Sequence, residues 1–279
     1  MLSRRSFLVG GAASVGLAAA GVEVLGRDRI LHKIGLQQSP DLHVPRSDWK
    51  VHEASLRSAH VEGTTGWAVS RPPGDDALTG AIVCLHGFGA DHRYAFDAVR
   101  VHDVVASAGE RIGVAAVDGG VHSYWHARDD GTDTGRMVLD EFVPLVRDRL
   151  DVERVAVLGW SMGGYGALLL AEQSPSTFSA VVSSSGAVWE RAGETAPGAF
   201  DDAEDFAAHD VIAMSDRLDV TSTRVDCGDH DWFLEGNRAL VTRLGPTVTW
   251  SFPTGWHDAR FWRSVAPRQV AFIAERLRA

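Results

Sequence analysis

Cysteine is nearly missing from this chain: Cys84 and Cys227 are the two among 279 residues. Each ends an apolar run of strand length, and distant strands cannot bring Cα atoms within the about 7 Å that a disulfide needs. Two buried free thiols are expected rather than a stapled fold. A basic cluster is missing beyond the N-terminus, and the formal net charge is -10. That balance excludes the positive stripe with which proteins hold nucleic-acid backbones. A paired-histidine ligand motif and a phosphate loop are also missing, so neither a metal nor a nucleotide cofactor is implied. Internal repeats are absent, and so is low-complexity sequence beyond the N-terminal segment.

What remains is ordinary globular composition, 45% hydrophobic and 23% charged, enough for one large α/β domain. The exception is the start, "MLSRRSFLVGGAASVGLAAAG", where Arg4 and Arg5 sit in Ser-Arg-Arg-x-Phe-Leu before a small-residue apolar run. It resembles a twin-arginine export signal, which implies the export machinery as a partner and an extracellular, periplasmic or envelope location. Residues 1–26 are assigned to this segment, with removal expected after Ala20, and 27–279 to the catalytic domain. An ordinary secretory signal or a retained anchor is the alternative, although the Gly/Ala-rich run is weakly apolar for a membrane span.

From residue 51 onward, apolar runs of strand length alternate with helical periodicity. Two strands near 51–56 and 66–70 read as a hairpin. Strands then follow at 81–86, 112–118, 154–160, 178–186, 222–228 and 248–253, with helices near 96–108, 136–150, 163–173, 235–244 and from the last strand to Arg278. Continuous apolar strands alternating with helices predict about eight strands in a mostly parallel sheet covered on both faces. Residues 187–219 break the rhythm. They are read as a lid or pocket-wall insertion, or as a long crossover packed on the sheet.

Chemistry enters at "RVAVLGWSMGGYGALLL". A strand running into Gly-x-Ser-x-Gly and then a helix is the pattern of a nucleophile elbow, with Gly159 and Gly163 flanking Ser161. A serine hydroxyl is too weak an acid to attack an ester unaided. It needs a histidine base, and the histidine needs a carboxylate to hold its tautomer. The chain offers both in the order this pattern requires, each after an expected strand. "VDCGDHDWF" supplies Asp231, with Asp229 as the second choice and Asp226 assigned to the strand itself; "FPTGWHDARFW" supplies His257. The oxyanion donors are expected to be the backbone N–H groups of Met162 and of Phe88 in "CLHGFGADHR". His86 is read as a structural hydrogen-bonder. Tyr124, Trp125, Trp160, Trp232 and Trp256 are candidates for an aromatic-walled substrate pocket, with His126 in the same loop as the first two. Asp129, Asp130 and Asp133 lack the spacing of a calcium loop and read as a solvated turn.

"HGFGA", "GWSMGGYGA", "CGDHDWF" and "GWHDARFW" together resemble the α/β-hydrolases, and within them the group of S-formylglutathione hydrolases, feruloyl-esterase-like enzymes and secreted mycolyltransferases. The resemblance runs from Ala81 to the C-terminus and implies an α/β-hydrolase fold and a serine ester hydrolase. In that group the acid commonly follows a strand as Gly-x-x-Asp, matched by Gly228 and Asp231. Two alternatives come with the resemblance, an acyltransferase of the mycolyltransferase type and a non-catalytic binding protein on the same scaffold. No basic cluster suits glutathione, which argues against a cytosolic detoxifying role, and export points instead to an envelope or extracellular ester.

Overall fold

A strand that is apolar at every position has to be covered on both faces. Gly80–Leu85 is one: Ala81, Val83 and Leu85 enter one hydrophobic core, Ile82 and Cys84 the other. The computed structural model describes residues 37–279, of which Pro40–Ala279 form one compact unit. The segment read as an export signal lies outside the described residues.

The strands are β1 (Val51–Arg57), β2 (Thr64–Ser70), β3 (Gly80–Leu85), β4 (Ile112–Val117), β5 (Val155–Trp160), β6 (Val181–Ser184), β7 (Thr223–Asp226) and β8 (Thr249–Ser251). They form one eight-stranded sheet in the order β1-β2-β4-β3-β5-β6-β7-β8. β1 and β2 make the expected hairpin, Val51 opposite Ser70. β2 joins β4 antiparallel, and every later pairing is parallel.

The helices are α1 (Tyr94–Asp97), α2 (Val101–Ser107), α3 (Thr134–Arg136), α4 (Val143–Leu150), α5 (Met162–Gln173), α6 (Ala203–Ala208), α7 (Leu234–Leu244) and α8 (Ala259–Arg278). α4, α5 and α7 pack into one core; α2 and α8 pack into the other. Parallel strands aim their C-terminal ends toward one edge, so the loops after β3, β5, β7 and β8 converge there.

Several elements differ from the sequence expectation for local reasons. The helix expected at 96–108 is two, because Arg100 takes a left-handed conformation (φ 62°) between them. The helix expected at 136–150 carries a π-helical turn, Met137–Phe142, between α3 and α4. The strand expected at 178–186 pairs only over Val181–Ser184, since Ser185 turns the chain at φ 50°. Residues 187–219 form turns and short 3-10 segments around one brief helix, α6.

Candidate active site

The turn from β5 into α5 is built by glycines. A Cβ on Gly159 would lie 1.9 Å from the Gly163 carbonyl oxygen, and one on Gly163 would lie 2.0 Å from that of Leu85. Neither position has room for a side chain, and the closeness they permit forces the residue between them into strain. Ser161 sits at φ 57°, ψ -119°, a region that costs a non-glycine residue about 1–3 kcal/mol. The surroundings hold it there: its N–H donates to the Ser184 carbonyl (3.1 Å), and its own carbonyl accepts from Ala187 (2.9 Å) and Tyr165 (3.1 Å).

The loops after β7 and β8 are pressed together in the same way. A Cβ on Gly228 would stand 2.3 Å from the Gly255 carbonyl oxygen. Asp229 braces the contact, its carboxylate accepting from the Gly255 N–H (3.0 Å) and the Thr254 hydroxyl (3.1 Å). Asp226 is bound within the sheet by Arg224 (2.7 Å), Ser251 (2.6 Å) and Gln269 (2.9 Å). Asp231 is the one of the three that faces the histidine. Its Oδ2 lies 2.8 Å from His257 Nδ1, its Oδ1 accepts from the Phe233 N–H (2.9 Å), and its carboxylate is fully buried. His257 Nε2 in turn lies 2.9 Å from Ser161 Oγ. The structure thus brings Ser161, His257 and Asp231 into one hydrogen-bonded row. A carboxylate at Nδ1 keeps the proton on that nitrogen, leaving Nε2 free to accept one from the hydroxyl.

The loop after β3 lies against this row, since a Cβ on Gly87 would be 3.2 Å from Ser161 Cβ. Gly89 N–H donates to Val121 O and Ala90 N–H to Gly87 O, whereas Phe88 N–H has no acceptor among the described residues. Met162 N–H, at the first position of α5, is likewise unpaired, as helix starts leave their amides. His86 ties the loop down: its Nε2 accepts from the Gly119 N–H (2.9 Å), so Nδ1 carries the proton donated to the Gly87 carbonyl (2.8 Å).

The family described as Putative esterase matches residues 58–272. The chain belongs to this esterase family. Solved structures agree on the fold. A ferulic acid esterase is 20% identical with a TM-score of 0.69, over 82% of this chain and 98% of its own. An S-formylglutathione hydrolase from Agrobacterium tumefaciens is 19% identical with a TM-score of 0.68, over 85% and 99%. MPT51 of Mycobacterium tuberculosis is 16% identical with a TM-score of 0.67, over 84% and 100%. No curated protein matches the sequence. The architecture is therefore the α/β-hydrolase fold, and the chain is an esterase-type hydrolase.

In this esterase Ser161 opens into a cavity of about 290 Å³. Tyr124 and Trp232 line it. The other three candidates do not. Trp125 is fully buried beneath the loop, its Nε1–H directed at the His86 carbonyl, because the backbone bends at Tyr124 and Trp125 (φ 50° and 61°) and turns only the first of them outward. Trp160 points into the opposite core, as the alternation of a strand dictates for the residue before the turn. Trp256 stacks on His230 at 4.6 Å. The remaining aromatic walls are Phe88, Tyr94, Phe233 and Trp262. Phe233 and Trp262 stand in the quoted motifs beside Asp231 and His257, but a motif does not say which way each ring points. Burial pushes the Tyr94 phenol up to about 12, so it stays a neutral hydroxyl. Trp232, Phe233 and Trp262 surround the His257 ring at 4.4, 5.3 and 5.2 Å and limit its rotation. Trp232 and Phe233 also wall a neighbouring cavity of about 510 Å³, whose far side is Val188, Trp189 and Ala196 from the excursion between β6 and β7. Asp130 accepts from the Thr132 amide in a turn, Asp133 caps α3 through the Arg136 amide, and Asp129 donates its backbone amide to the Asp201 carboxylate.

Proposed function

We propose that the protein is an exported serine ester hydrolase that works through an acyl-enzyme. The observation that carries this reading is the row Ser161–His257–Asp231, with contacts of 2.9 and 2.8 Å at the mouth of an aromatic cavity. Ser161 Oγ attacks the ester carbonyl as its proton passes to His257 Nε2, and the imidazolium is stabilised by Asp231. The oxyanion is met by the amides of Phe88 and Met162, which have no other acceptor among the described residues. The protonated His257 gives its proton to the leaving alkoxide and then deprotonates the water that cleaves the acyl-enzyme.

A cavity of about 290 Å³ walled by aromatic rings is near the lower size limit of ligand sites and favours a compact aryl or short acyl group. The larger cavity beside it favours a second reading, transfer of the acyl group to an alcohol held there. Export by the twin-arginine route, suggested by Arg4 and Arg5, would place the substrate outside the cytoplasm.

The test is labelling with a fluorophosphonate probe together with p-nitrophenyl esters of rising chain length. Labelling and turnover that vanish together in Ser161→Ala support the mechanism; a wild type that neither labels nor turns over any ester overturns it. Product analysis with an added alcohol separates hydrolysis from transfer.

A further inference from the structure

We propose that His126, Asp205 and His209 form a binding site for one divalent transition-metal ion of the zinc class, which clamps the excursion between β6 and β7 onto the loop carrying Tyr124. The three side chains come from two segments far apart in sequence. His126 follows the loop after β4, whereas Asp205 and His209 stand four residues apart on α6 and its C-terminal cap. Asp205 Oδ1 lies 3.7 Å from His126 Nδ1 and 2.8 Å from His209 Nδ1. The two imidazole rings are 4.5 Å apart. Ligands bound at about 2.0–2.2 Å in a tetrahedron sit about 3.3–3.6 Å from one another; the three ligand atoms lie within 4.8 Å of one another, so side-chain adjustments of about an ångström would seat an ion.

A second observation points to a cation. His126 is fully buried, and both of its ring nitrogens face carbonyl oxygens, Nδ1 that of Ala127 at 2.8 Å and Nε2 that of Ala199 at 3.0 Å. A neutral imidazole has one N–H, so only one of these contacts can be a hydrogen bond; the other sets a nitrogen lone pair against oxygen. With Nε2–H donated to Ala199, the Nδ1 lone pair is left beside Ala127 O and Asp205 Oδ1. A positive charge there removes the conflict, and it is either a second proton or a metal ion. The carboxylate and the second imidazole gathered beside this nitrogen are the further ligands that a metal ion takes up, and they favour the ion.

Two imidazoles and one carboxylate suit zinc, cobalt or nickel rather than calcium or magnesium, which take oxygen. The Nε2–H contact to Ala199 is the kind of outer hydrogen bond that fixes a metal-bound histidine, and Phe200 stacks on the same ring at 5.2 Å. Asp205 and His209 are about one-sixth exposed, 15% and 16%, which leaves an entry path. The consequence for the site is positional. Tyr124 lines the Ser161 cavity two residues before His126 and packs against Phe200 at 6.3 Å, so an ion here would hold one pocket wall in place.

The experiment uses untagged, chelator-stripped full-length protein titrated with cobalt(II), read by visible absorption, and with zinc(II), read by thermal melting. One equivalent of cobalt giving tetrahedral-type bands, and a rise of Tm with zinc, are expected. Asp205→Asn and His209→Gln, checked by far-UV circular dichroism, are expected to lose both. Because a variant could fail to fold, X-ray absorption of the zinc-loaded wild type counts imidazole ligands, and two are expected. Absence of stoichiometric binding by the wild type overturns the proposal, as do fewer than two imidazoles or folded variants that bind as wild type does.

Discussion

Ser161, Asp229 and Asp231 show how far chemistry depends on single residues. Replacing Ser161 with Ala removes the hydroxyl 2.9 Å from His257 Nε2, and kcat against an activated ester is expected to fall at least about 10³-fold with an unchanged circular dichroism spectrum. Asp231→Asn and Asp229→Asn then form a discriminating pair. The first disturbs the tautomer of His257 and is expected to lower kcat by about 10⁴-fold at little cost in Tm. The second loosens the brace between the β7 and β8 loops and is expected to lower Tm while leaving most of kcat. Steady-state kinetics and thermal melts on both variants check this; equal kcat losses would count against the assignment. Gly163→Ala would place a methyl 2.0 Å from a backbone oxygen, and soluble yield is expected to collapse. The two glycines around Ser161, and Gly228, were legible in the motifs, since backbone packed on backbone demands glycine whatever surrounds it.

At the scale of elements, α5 does more than present Ser161. It carries Glu172, 2% exposed, with neither carboxylate oxygen hydrogen-bonded among the described residues. Burial raises its pKa to about 9 from an ordinary 4.5, against the partial opposition of Arg217. The native state thus holds a proton that the unfolded chain releases between those values, and stability must fall as pH rises through that window and level off above it. Glu172→Gln, which keeps the shape without the charge, is expected to remove this slope, gaining a few kcal/mol over wild type at the alkaline end. Urea unfolding of both proteins across the window checks it, and parallel pH profiles would refute it. Elements whose signal is local were readable in the sequence, as β3 and β5 were from continuous apolar residues. The break at Arg100, the π-helical turn at Met137–Phe142 and the early end of β6 at Ser185 were not. The left-handed residues Arg100 and Ser185 and the wider π-helical turn are selected by the packing around them, and nothing in their own side chains signals it.

For the whole molecule, the two cysteines supply a test of compactness. Cys84 and Cys227 are both buried and unpaired, and burial pushes both thiols well up. A thiol reagent is expected to find neither in the native protein and both in denaturant, and reductant is expected to leave Tm unchanged. Rapid native labelling would mean that the sheet opens. The alternation of apolar strands and helices determined an α/β sheet, and the motifs determined where its functional loops lie, because periodicity and glycine spacing are local properties of the chain. Which of three aspartates meets His257, which tryptophans face the cavity and which turn into a core, and that His126 meets Asp205 and His209, were decided only in three dimensions. Each depends on the direction of a side chain leaving a loop, and that direction is set by residues dozens of positions away that the loop packs against.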